Sequence, residues 1–290
     1  MWRIVFFALL IARFLSIKPL YGQTYSYPEI PDTIVERLDR EAYLAYHFWD
    51  NADFSDSTLL TSPKLILDYI YLLRLLPDDE KRKDCIQNGV SPYLSQSSGF
   101  AYLTFWLDRY LHNPQSPFYD DVMFLQFIEV FTEATTNRGQ MNELMFLKEM
   151  TLRNQIGSIA EDFSFVLKNG TIKRLFEIES PLLLLIFNSP NCSLCHRLEN
   201  SVSSNALIQQ LISDNKLKIV SISPVADFDE WINHNYPANW ICGFDKTSAI
   251  LKERLYEIRQ FPSMYLLDKD KHVIIKEANF EMLVSLLSQL

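Results

Sequence analysis

The chain reads as an α+β protein, with an all-helical N-terminal half followed by an α/β domain built on a central mixed sheet flanked by helices. Three observations carry that reading. Apolar residues recur at helical spacing from Asp32 to Asn137, short strand-like runs alternate with helical stretches after Gly157, and Asn169-Gly170, the strongest short hairpin signal, opens the second region. With 290 residues, 48% of them hydrophobic and 22% charged, the chain can bury two cores. The expected division is a targeting segment over 1–23, a helical domain over 24–154 and a sheet domain over 155–290.

The targeting segment comes first because it is not part of the fold. Arg3 opens it, Ile4 to Leu15 is apolar apart from Arg13, and Gly22-Gln23 offers a small-residue exit. The apolar stretch is short for a membrane span of about 20 residues, which favours a signal peptide cleaved near Thr24. An uncleaved anchor is the alternative, since the exit fits the small-x-small pattern poorly. Residues 1–23 hold three basic and no acidic groups, so their loss takes the net charge from −9 to −12. Such a surface repels phosphate backbones and argues against nucleic acid as a partner. The densest basic cluster, Lys81-Arg82-Lys83, lies among Asp78, Asp79, Glu80 and Asp84 and reads as a solvated helix face.

In the helical half, Asp32 is the expected cap of a helix carrying Ile34, Val35, Leu38, Ala42 and Ala45. Ser62-Pro63 starts a second helix running to Leu76, and a third ends near Gly89. Two aromatic-rich helices follow, from Tyr93 to Leu111 and from Asp120 to Thr132, separated by the turn Asn113-Pro114-Gln115-Ser116-Pro117. A last helix spans Gln140 to Arg153. The stripe Phe100, Phe105, Trp106 and Tyr110 reads as core. Asn51, Asp53 and Ser55 superficially suggest a calcium loop. However, Asp56 stands where glycine is needed and Ser62 where a bidentate Glu is needed, so the cluster reads as a helix end with capping residues.

In the second half, Phe163 to Lys168 and Thr171 to Phe176 form the hairpin. Leu182 to Phe187 is a continuous apolar run, the pattern of a strand covered on both faces. A helix begins at about Cys192 and breaks near Ser203-Ser204, followed by a strand over Leu217 to Ser223. Helices around Asp227 to His234 and Thr247 to Tyr256, strands over Ser263 to Leu267 and His272 to Lys276, and a helix from Phe280 complete the order. Cys242 falls in an expected loop, and Cys85 and Cys242 read as buried or incidental thiols.

Chemistry concentrates at Cys192-Ser193-Leu194-Cys195, just after the apolar strand and at the opening of a helix. A helix N-terminus presents unpaired N–H groups and positive potential, which favours thiolate over thiol at Cys192. A thiolate can attack a disulfide to give a mixed disulfide, and a second thiol three residues on can resolve it. About seventy residues downstream, Phe261-Pro262 immediately precedes a strand, a position that tolerates proline.

The residues Phe187-Asn188-Ser189-Pro190-Asn191-Cys192-Ser193-Leu194-Cys195 and Phe261-Pro262-Ser263-Met264-Tyr265-Leu266-Leu267-Asp268 closely resemble the thioredoxin superfamily, in particular its exported TlpA-like thiol:disulfide oxidoreductases. The resemblance runs from about Ile156 to the C-terminus. It implies a thioredoxin-like domain, catalysis by Cys192 and Cys195, and a cis Phe261–Pro262 bond beside them. Pro262 would shape the substrate face, Phe261 would pair with an extended substrate segment, and Ser193 and Leu194 would complete the contact surface. Phe48-Trp49-Asp50-Asn51-Ala52-Asp53-Phe54-Ser55-Asp56 and the Asn113-to-Pro117 turn resemble a helical domain of unknown function that precedes thioredoxin-like domains in bacterial envelope proteins.

Two positions depart from the best-known pattern. Asn191 replaces the usual Trp before the first cysteine, and Ile186 stands where thioredoxin has a buried, proton-transferring Asp. Glu161 or Asp162 is the expected substitute base. The implied partners are protein thiols and disulfides of the envelope and a redox donor or acceptor, with membrane contact only through an uncleaved signal segment. No cofactor is implied. Cys192 to His196 also spells the C-x-x-C-H haem-attachment pattern, but a motif between a buried strand and a sheet-domain helix is a poor setting for it. A non-catalytic binding module with a structural disulfide is the other alternative. Zinc would need further ligands, and no second C-x-x-C or paired His occurs.

Overall fold

A computed structural model describes residues 25–54, 62–94, 97–225, 227–277 and 279–289. The expected signal segment, and Ser55 and Asp56 of the calcium-like cluster, lie outside these residues. Among them, no helix is long and apolar enough to cross a membrane. The chain forms two compact units, Met1–Leu103 and Thr104–Leu290.

The first unit contains α1 (Arg37–Tyr46), α2 (Pro63–Leu75) and α3 (Asp79–Leu94). Ser62 caps α2 by accepting the N–H of Leu65, as its Ser-Pro start implies. Asp32 does not cap α1. Residues 31–34 close a turn, with the Ile34 N–H donating to Pro31 O, and the helix begins at Arg37. Nor does Gly89 end α3. The hydroxyl of Tyr69 donates to Cys85 O at 2.6 Å and crosses so close to Gly89 that a Cβ there would lie 2.3 Å from it. This glycine therefore serves close packing within a continuing helix.

The division between units falls inside α4 (Ser97–Leu111). The expected domain boundary falls after residue 154, yet α5 (Asp121–Ala134) and α6 (Arg138–Leu152) belong to the same compact unit as the sheet. A buried charge network accounts for this. His112 bonds Asp121 and Glu257, each at 2.7 Å, while Lys276 contacts Glu257 at 3.1 Å and donates to Thr151 O at 2.9 Å. Burial disfavours the charged form of His112, but the two carboxylates outweigh it and push its pKa up to about 9. Glu257 is held below the ordinary carboxylate range: burial opposes ionisation, and His112 and Lys276 overcome it.

The sheet has seven strands in the order β2-β1-β5-β4-β3-β6-β7. They are β1 (Ser164–Leu167), β2 (Ile172–Arg174), β3 (Leu182–Phe187), β4 (Leu217–Ser223), β5 (Ile241–Phe244), β6 (Ser263–Asp268) and β7 (Val273–Ile275). β3 and β4 are parallel, as are β4 and β5, while β6 runs antiparallel to β3. Leu183, Leu185 and Phe187 enter one core, and Leu184 and Ile186 enter the other, so both faces of β3 are covered. The helices are α7 (Ser193–Ser204), α8 (Ala206–Ser213), α9 (Phe228–Asn233), α10 (Ala249–Lys252) and α11 (Phe280–Leu287). Cys242 lies on a strand rather than in a loop, and the helix expected over Thr247 to Tyr256 is reduced to one turn.

Candidate active site

The pairing of β3 with β6 builds the site. Phe187, the last residue of β3, stands opposite Ser263, the first of β6, so the segment leaving β3 lies beside the segment entering β6. Asn188 prolongs the first by donating its backbone N–H to Ile222 O at 2.9 Å and its side-chain amide to Ser221 Oγ at 2.6 Å. The Cys192 N–H then bonds Ser189 O at 3.1 Å, and α7 begins.

Cys192 is the N-cap of α7. Its Sγ accepts the backbone N–H of Cys195 at 3.2 Å, the placement expected from the helix start. Cys192 and Cys195 form a disulfide with their Cα atoms 5.2 Å apart. Cys192 is half-buried, whereas Cys195 is 2% exposed beneath the first turn. Ser193 and Leu194 are exposed between them. The Phe261–Pro262 bond is cis, and Phe261 O lies 3.6 Å from Cys192 Sγ. Cys192, Cys195, Phe261 and Pro262 are therefore brought together, with Ser193 and Leu194 on the same rim.

Ile186 is buried in the apolar core under α7, so no carboxylate arises from that strand position. The expected substitutes are engaged elsewhere. Glu161 pairs with Arg153 at 2.8 Å, and Asp162 with Arg174 at 2.7 Å while also accepting the Phe176 N–H. A cavity of about 260 Å³ adjoins the cis-proline, lined in part by Phe105, Asp108, Arg259, Pro262, Ser263 and Glu277. Phe105, expected in the core, is exposed at its rim. Arg259 is fixed by Asp108 and the carbonyl of His112. Burial, reinforced by the negative charge of Glu257, pushes the Glu277 pKa up to about 7 despite the Arg259 N–H that it accepts. Sequence inspection missed Glu277 and Arg259, which stand in no motif with the cysteines. Arg259 meets Asp108 across 151 residues, and Ser263 meets Glu277 across 14.

Residues 12–150 match the family described as Domain of unknown function, DUF5106. No curated protein matches the chain. Among solved structures, a thioredoxin-like protein from Bacteroides caccae is similar over 93% of this chain and 99% of its own, with 28% identity and a TM-score of 0.77. The C-terminal domain of an uncharacterized protein from Bacteroides fragilis is 31% identical over 47% of this chain and 98% of its own, with a TM-score of 0.46. The thioredoxin domain of a thiol-disulfide oxidoreductase from Bacteroides vulgatus is 18% identical over 47% of this chain and 96% of its own, with a TM-score of 0.41. With Cys192 capping α7 beside a cis-proline, the chain has a thioredoxin-like fold, similar over nearly its whole length to the Bacteroides caccae protein, and its residues 12–150 match DUF5106 ahead of the sheet.

Proposed function

We propose that this protein is a thiol:disulfide oxidoreductase of the TlpA-like kind, acting on proteins of a bacterial cell envelope. The observation that carries the reading is the unequal placement of the two sulfurs, one capping a helix at the surface and one buried beneath it. In the reducing direction, the Cys192 thiolate attacks a substrate disulfide. A Cys192–substrate S–S bond forms, and the other substrate sulfur leaves as a thiolate that takes up a proton. Cys195 then gives up its proton and attacks Cys192 Sγ, forming the internal disulfide and releasing the second substrate thiolate. Two electrons pass to the substrate, and the reverse sequence oxidises a dithiol.

The half-buried Phe261, whose carbonyl lies 3.6 Å from Cys192 Sγ, supports seating of an extended substrate backbone across Cys192, with Pro262, Ser193 and Leu194 around it. The basic-then-apolar first residues support export to the periplasm or envelope. A redox donor or acceptor outside the chain must recycle the pair. The competing reading, a binding module with a structural disulfide, draws on Ile186, in place of which β3 offers Cys195 no carboxylate. A trap separates the two. Cys195→Ser exposed to an envelope extract is expected to retain mixed disulfides at Cys192 that dithiothreitol releases, and Cys192→Ser is expected to retain none. Absence of adducts on Cys195→Ser would favour the binding module.

A further inference from the structure

We propose that His196, Glu199 and His234 form a binding site for a divalent first-row transition metal such as Zn²⁺, separate from the cysteine pair and independent of the redox reading. His196 and Glu199 lie one turn apart on α7, and His234 follows α9, so the three converge only in the fold. Their ligand atoms all lie within 4.8 Å of one another. Glu199 Oε2 is 3.3 Å from His234 Nε2 and 4.0 Å from His196 Nδ1. Ligand atoms around a tetrahedral zinc, with bonds of about 2.0–2.1 Å, stand roughly 3.3 Å apart. The first distance already matches this, and a small movement of the His196 ring closes the second.

The orientation of His196 adds an independent reason. Its Nε2 lies 2.7 Å from Pro190 O, which can only accept, so this nitrogen carries the proton. In the neutral ring Nδ1 is then an acceptor, and it faces a carboxylate oxygen, also an acceptor. A cation between them turns that opposition into coordination. A histidine that gives its second N–H to a backbone carbonyl is also the usual arrangement around bound metal, because the bond fixes ring direction and tautomer. Glu199 and His234 are largely buried, while the His196 side chain is 45% exposed. Solvent can therefore enter from the His196 side and supply a fourth ligand. Three protein ligands of nitrogen and oxygen with one open position suit Zn²⁺ rather than Ca²⁺ or Mg²⁺, which prefer all-oxygen sites. The separation of 35 positions between Glu199 and His234 hides the cluster from any spacing rule.

The thiols must be kept out of the measurement. The tag-free chain carrying Cys85→Ser and Cys242→Ser, with Cys192 and Cys195 oxidised to their disulfide, is titrated with Zn²⁺ by calorimetry and with Co²⁺ by visible absorption. The same titrations on the oxidised wild-type chain guard against misfolding of the double variant. The expected result is one equivalent bound, with visible Co²⁺ bands of tetrahedral intensity. His234→Ala and Glu199→Gln are each expected to weaken binding at least about tenfold, while His272→Ala, in the exposed Asp268–Asp270–His272 cluster, leaves it unchanged. Circular dichroism confirms that each variant is folded. No stoichiometric binding, or equal affinity in the His234→Ala and Glu199→Gln chains, would overturn the proposal and leave the cluster as an ion pair alone.

Discussion

At the scale of single residues, Cys192 and Cys195 differ in each property that governs thiol reactivity. Cys192 caps α7, accepts the Cys195 N–H and is half-exposed, whereas Cys195 is shielded beneath the turn. In the reduced protein, Cys195→Ser should therefore alkylate at Cys192 faster at neutral pH, and with a lower apparent pKa, than Cys192→Ser does at Cys195. The opposite order would reverse the assigned roles. Glu277 yields a second prediction. Its pKa rises from 4.5 to about 7 on folding, so the folded chain binds a proton that the unfolded chain lacks between those pH values. Stability attributable to this group thus falls as pH rises through that window. Glu277→Gln should leave stability near pH 4 unchanged and raise it by about 1–3 kcal/mol above pH 7, read as denaturation midpoints across pH. The dithiol and Pro262 were legible because their signatures are contiguous: four residues at a helix start, and two before a strand. Glu277 and Arg259 were not, because their surroundings come from chain segments far apart in sequence.

At the scale of elements, long periodic or continuous apolar runs were readable, and short or interrupted ones were not. Leu182–Phe187 stands with the expected bounds because both its faces are buried. Ile241–Phe244 escaped notice because four residues with a central glycine carry no alternation, although pairing with β4 and β1 makes them a strand. That glycine is what lets the strand fit. A Cβ on Gly243 would lie 2.3 Å from a Phe165 ring carbon and 2.8 Å from Ile222 Cδ1, both in the core. Gly243→Ala should accordingly destabilise the fold by about 1–3 kcal/mol in urea unfolding, the usual cost of overpacking. A neutral effect would contradict the placement of β5 between β4 and β1. The helix expected over Thr247 to Tyr256 shortened for a local reason. Ser248 and Arg254 adopt positive φ at either end, leaving a single turn.

At the scale of the whole molecule, strand grammar set the expected domain boundary after residue 154, yet it could not show that α5 and α6 share a compact unit with the sheet. The His112, Asp121, Glu257 and Lys276 network joins residues up to 164 positions apart and has no sequence pattern. Two cations balance two anions there, so burial costs less than it would for any one of the four alone. None of this decides the chemistry, which rests on one dithiol. The most direct test is its reduction potential, measured by equilibrating the full chain with graded glutathione or dithiothreitol buffers and quantifying the Cys192–Cys195 disulfide by thiol-labelled mass. A surface cysteine capping a helix predicts one reversible two-electron transition at a potential above about −300 mV, unaltered by Cys85→Ser and Cys242→Ser. A pair that stays oxidised to potentials well below about −300 mV would be a structural disulfide and would contradict the assignment.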